Sequence, residues 1–113
     1  MLNVSTPNLT AVDLAAKPAH VGGLSNVATV LAELPDLDGP RISALAKHRN
    51  RADARRLGWL LSLVRNDLNL CTLMNVADTH HGQPTLLASN KPRTGNVNED
   101  WNVLVNTTVE PDL

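Results

Sequence analysis

Lys47, Arg49, Arg51, Arg55 and Arg56 fall within ten residues, opposed locally by Asp53, and Trp59 and Leu63 follow one and two helical turns after Arg55. Guanidinium groups make charge-assisted, often bidentate hydrogen bonds to carboxylates and phosphates, and Trp and Arg dominate the buried centres of protein interfaces. The run therefore suits recognition of another macromolecule better than bond-making. The tail has the opposite sign: after Arg93 there is no Lys or Arg, while Glu99, Asp100, Glu110 and Asp112 are acidic. Such asymmetry steers association with a charged partner, although a solvated basic helix face is its commoner meaning.

Other arrangements that could do chemistry are weak. His80 and His81 are adjacent, and adjacent residues do not share the i, i+4 face that two helical zinc ligands require; His20 and His48 add partners only through space. Asp36 and Asp38 resemble paired carboxylates, yet they sit in a Pro/Gly segment where turn formation and helix capping explain them. The chain has no Walker-type glycine loop, no GxGxxG, no GxSxG and no CxxC, so no catalytic, cofactor-binding or metal-ligating residues are expected and the protein is read as no enzyme. The basic helix start superficially resembles a helix-turn-helix. A recognition helix keeps its groove face polar, however, whereas here Trp59 and Leu63 would be driven against DNA.

The composition bounds the rest. With 113 residues the chain is read as a single domain spanning 1–113, with an aliphatic core, because Phe and Tyr are absent and Trp59 and Trp101 stand alone as aromatics. Single-stranded nucleic-acid platforms need more rings than that. One cysteine, Cys71, permits no internal disulfide; the start MLNVSTPNLT lacks the form of a signal peptide, and the longest run without Asp, Glu, Lys or Arg, Pro18 to Ala32, is too polar to span a bilayer. A cytoplasmic protein with no membrane contact is expected.

The elements that must position these residues follow from periodicity. The expected fold class is mainly α within α+β: about five helices over 7–77, then a two-stranded C-terminal β-hairpin and tail over 84–113. Ser5, Thr6 and Pro7 mark the first helix start and Pro18 its end. A turn at His20 to Gly23 leads to a second helix, Leu24 to Leu34, buried through Val27, Val30, Leu31 and Leu34. Asp38, Gly39 and Pro40 punctuate the chain before a third, about Arg41 to His48, with Ile42, Leu45 and Ala46 inward. Asn50 caps the long fourth helix, whose Ala54, Leu57, Gly58, Leu60, Leu61 and Val64 share one arc; Arg55, Arg56, Trp59 and Leu63 lie opposite and require a second covering layer, from this chain or from a partner. A fifth helix is expected over Asp67 to Ala77. Strands are expected at Pro84 to Ser89 and Trp101 to Thr108, joined by the polar loop NKPRTGNVNED, with Trp101 anchoring the hairpin on the helices.

Three segments in order, NLTAVDLAAKPAHVGGLSNVATVLAEL, ADARRLGWLL and KPRTGNVNEDWNVLVNTTVEPDL, resemble successive signatures of the C-terminal domain of AbiEi-family antitoxins from bacterial type IV toxin–antitoxin pairs. Asp13, Gly22, Gly23, the run Arg55-Arg56-Leu57-Gly58, Trp101, Asn106 and Asp112 carry most of the likeness. The chain is also similar to the short antitoxins that accompany mycobacterial nucleotidyltransferase toxins of the MenT group. The resemblance implies an antitoxin that suppresses a nucleotidyltransferase toxin acting on tRNA. Family members usually begin with a winged-helix DNA-binding domain, whereas this chain starts at Met1 directly in the second domain, so direct DNA binding is not expected. The expectation is neutralisation by direct protein binding; the alternative is a nucleic-acid-binding regulator of its own operon. The resemblance brings no set of contact residues, and the candidates Arg51, Arg55, Arg56, Trp59, Leu63, Glu110 and Asp112 come from the helix and charge arguments.

Overall fold

The protein is described from a computed structural model, in which residues 7–16, 23–34, 37–65, 68–79, 82–88 and 91–109 are described. The expectations placed on Ser5, Thr6, Pro18, His20, Asp36, His80 and His81 lie outside those residues. Among the described residues five helices come first: α1 (Pro7–Ala16), α2 (Leu24–Glu33), α3 (Gly39–Ala46), α4 (Arg51–Val64) and α5 (Cys71–Ala77). Three short strands follow: β1 (Thr85–Leu86), β2 (Asn96–Asn98) and β3 (Val103–Val105).

Local chemistry sets the helix limits. The Asp38 side chain accepts the Arg41 N–H at 3.1 Å and caps α3, as the capping reading of that carboxylate requires; the Asn50 side-chain carbonyl accepts the Asp53 N–H at 2.8 Å and caps α4. At the far end of α2, Arg65 donates from Nη1 to Leu34 O at 2.8 Å and Leu31 O at 3.1 Å, so a cation satisfies the orphan carbonyls where the helix dipole is negative. The fifth helix is shorter than its periodicity predicts. Asn69 accepts the Cys71 N–H with its own side chain at 3.1 Å, an alternative to the helical bond that delays the start of α5 to Cys71.

α4 runs through the middle of the helical layer, packing against α1, α2 and α5, while α3 lies across α1 and α5. Its inward arc is the expected one: Ala54, Leu57, Gly58, Leu60 and Leu61 are buried, joining Val12, Val27, Leu31, Ile42 and Leu73 in one aliphatic cluster that also takes in Leu87, Trp101 and Val103. Val64 is partly buried at its edge.

The sheet differs from the expected hairpin. The two predicted strand segments do pair, but in parallel, Thr85 opposite Val103 and Leu86 opposite Leu104. The antiparallel partner of β3 is β2, from within the polar stretch read as a loop, giving the order β1-β3-β2. The turn explains this arrangement: the Asn98 side chain accepts the Trp101 N–H at 3.0 Å, closing a tight connection that leaves Asn96–Asn98 alongside β3. Asn106 completes the strap, accepting from Ala88 N–H at 2.8 Å and donating to Ala88 O at 2.9 Å and Pro92 O at 3.1 Å.

Candidate partner-binding surface

The second face of α4 is covered in its first half by the protein's own chain. Arg55 is 2% exposed. Its Nε donates to Ala77 O at 2.9 Å, Nη2 to Asp78 O at 2.6 Å, and Nη1 to Gln83 O at 3.0 Å and Thr85 Oγ1 at 3.2 Å. One planar fork thus gathers the end of α5, the turn after it and the start of β1, a task suited to the donor geometry of guanidinium. Burial lowers the proton affinity of the group, as does the neighbouring charge of Arg51, with Asp78 opposing. Of the two covering layers left open for this face, Arg55 receives the chain's own: packing β1 on α4 carries acceptor carbonyls over it.

Arg56 is similarly engaged. Nε donates to Leu86 O at 2.8 Å and Nη1 reaches Asp53 at 3.4 Å, with both side chains largely shielded from water. Thr85 and Leu87 donate across to Asn102 O and Leu104 O, so the Leu86 carbonyl points to the free edge of β1, and Arg56 occupies that edge. Burial raises the Asp53 carboxyl above its ordinary 3.8 despite the opposing charges of Arg56 and Arg49, and burial lowers Arg56 against the pull of Asp53.

Trp101 lies directly on α4. A Cβ placed on Gly58 would overlap its six-membered ring, so the RRLGW run needs glycine there to admit the indole. Trp59, by contrast, is partly buried, one side packed on the core cluster, and Leu63 beyond it is 45% exposed. Residues i and i+4 are neighbours on a helix surface, which makes Trp59 and Leu63 a small apolar area at the C-terminal end of α4. Arg51 stands exposed at the other end, paired with Asp78 at 2.9 Å. Of the seven candidates, α4 thus brings Trp59 and Leu63 together outward, leaves Arg51 at the rim and turns Arg55 and Arg56 inward. Glu110 and Asp112 lie outside the described residues.

Charge over this surface is largely met within the chain. Arg49 pairs with Asp13 and Arg51 with Asp78, so the basic run of the sequence does not form a continuous positive stripe. Among the described residues no three or more His, Cys, Asp or Glu side chains come together as a metal would require, and no helix is long and apolar enough to cross a membrane. The arrangement offers shape and hydrogen bonding. Sequence reasoning did not single out Arg65 or Asp78; their signals, a cation just past a helix end and an Asp at a left-handed C-cap with φ 53°, gain meaning only from the carbonyls and guanidinium that meet them in space.

A family model described as the AbiEi antitoxin C-terminal domain matches residues 2–63, more than half of the chain. The chain belongs to that family. Membership gives this AbiEi domain the role of an antitoxin in a toxin–antitoxin system, with a toxin as partner. The match covers α1, α2, α3 and nearly all of α4, ending at Leu63, while α5 and the sheet lie beyond it. No curated protein and no solved structure matches the chain significantly.

Proposed function

We propose that this AbiEi domain neutralises a nucleotidyltransferase toxin that modifies tRNA, by binding the folded toxin directly and obstructing its substrate site. The observation that carries the reading is the apolar area of Trp59 and Leu63, left outward at the end of a helix whose other bulky residues are covered. An indole ringed by less critical contacts that exclude water is a usual centre of a desolvated interface. Arg51 supplies a rim charge, and the acidic tail with Glu110 and Asp112 enters the basic groove in which the toxin holds RNA phosphates. Inhibition of this kind requires no catalytic group and acts stoichiometrically, in the cytoplasm. Engagement of Arg51, Arg55 and Arg56 within the chain favours this over a nucleic-acid-binding regulator, which needs a row of free cations along a backbone.

Co-expression with the product of the neighbouring reading frame is the direct test. Growth rescue and co-purification are expected, and Leu63→Asp should abolish both without changing the melting temperature of the free domain. A toxin that stays fully active beside an excess of the wild-type domain, with no complex recovered, sinks the proposal.

A further inference from the structure

The C-terminal end of α3 and the outer side of α5 border an open depression of about 370 Å³, lined by Lys47, Arg49, Thr72, Asn75 and Val76. Its walls are held in place. At the start of α3, a Cβ on Gly39 would collide with the backbone carbonyl of Asn69, so α3 and the turn that leads into α5 are in backbone contact and cannot slide apart without losing it. At the end of α3, Lys47 N–H donates to Ser43 O at 3.2 Å and Arg49 N–H to Ala46 O at 2.9 Å, and the Arg49 guanidinium is tethered to Asp13 on α1.

The polar groups around this space have capacity to spare. Asp13 takes one N–H of the five that a guanidinium carries, and among the described residues the Arg49 side chain engages no other acceptor. Among those same residues the side chains of Lys47, Thr72 and Asn75 make no hydrogen bond. Ammonium, guanidinium, hydroxyl and carboxamide can all donate to one oxyanion, while Val76 offers contact to a short methylene stem.

We propose that this depression receives a carboxylate-bearing side chain, Asp or Glu, of the protein partner. The proposal rests on the toxin-binding reading above and adds to it the chemistry of a second contact, away from Trp59 and Leu63. A single carboxylate fits better than a nucleic-acid backbone because the cations that would extend the site are engaged elsewhere: Arg51 with Asp78, Arg56 with Asp53 and Leu86 O, and Arg55 in the interior.

Two measurements on the full chain test it. In the first, ¹⁵N-labelled protein is titrated at fixed ionic strength with N-acetylglutamate N-methylamide and, separately, with inorganic phosphate. Saturable shifts confined to Lys47, Arg49, Thr72, Asn75 and Val76 with the blocked glutamate, lost in Lys47→Glu/Asn75→Asp, support the proposal; no confined shift, or a response to phosphate alone, overturns it. In the second, the same double variant, altered at two exposed positions, is expected to bind the co-expressed toxin about tenfold or more weakly with an unchanged melting temperature. Unchanged toxin affinity overturns the proposal while the α4 reading stands. A wild-type chain that binds no toxin removes the α4 reading, and the titration then decides the depression alone.

Discussion

Arg55 shows how one residue type serves opposite ends. In sequence it belongs to a basic run suited to an anionic partner; in the fold its donors satisfy Ala77 O, Asp78 O, Gln83 O and the Thr85 hydroxyl. Replacing it leaves several shielded acceptors unmet, so Arg55→Ala should lose about 3 kcal/mol or more in urea unfolding. Arg55→Lys should recover little, since an ammonium cannot span the same fork. Asp53 gives a pH signature. Its carboxyl is raised in the folded protein, chiefly by burial. Its stabilising contribution is therefore full below the ordinary value of 3.8 and is lost as pH rises through the higher folded value. Asp53→Asn lacks that titration, so its melting temperature relative to wild type should climb as pH goes from below 3.8 towards neutral. A difference that is flat or falls over that range would show that the pairing with Arg56 outweighs the burial.

At the scale of elements, α4 carries two tryptophan environments that composition cannot tell apart. Trp101 is fully buried, seated where Gly58 leaves room, and Trp59 is only partly covered. Trp101→Ala should cost about 3–5 kcal/mol, as emptying a core aromatic site does. Gly58→Ala should cost about 1–3 kcal/mol from overpacking, whereas Trp59→Ala should lower thermal stability by a clearly smaller amount than Trp101→Ala. Equal losses from the two tryptophan variants would make Trp59 a core residue and deprive the surface of its anchor. The helices were legible because apolar spacing and caps act over a few residues; Asn50 and Asp38 cap where their side chains predict. The strand pairing was not. Segments of two or three residues carry no reliable period, and Asn96–Asn98 becomes a strand because β3 and the turn at Asn98 hold it there.

For the whole molecule, helices and sheet share one cluster: Leu87, Trp101 and Val103 pack with Leu31, Leu57 and Leu61. Unfolding should therefore be one transition, with helical circular dichroism and fluorescence of the two tryptophans changing together in urea; a sheet that melts first, seen as an early change in Trp101 fluorescence in a Trp59→Leu background, would contradict this. By itself the sequence determined an aliphatic, largely helical body, the start of α4, the place of Trp101 and, through the AbiEi likeness, the antitoxin role, because these depend on composition, on spacing within one element and on ordered motifs. Only the tertiary structure decided which side of α4 stays outward. That choice turns on which carbonyls and rings arrive from 22 to 43 residues further along the chain to meet Arg55, Arg56 and Gly58, and no pattern inside the helix encodes their approach.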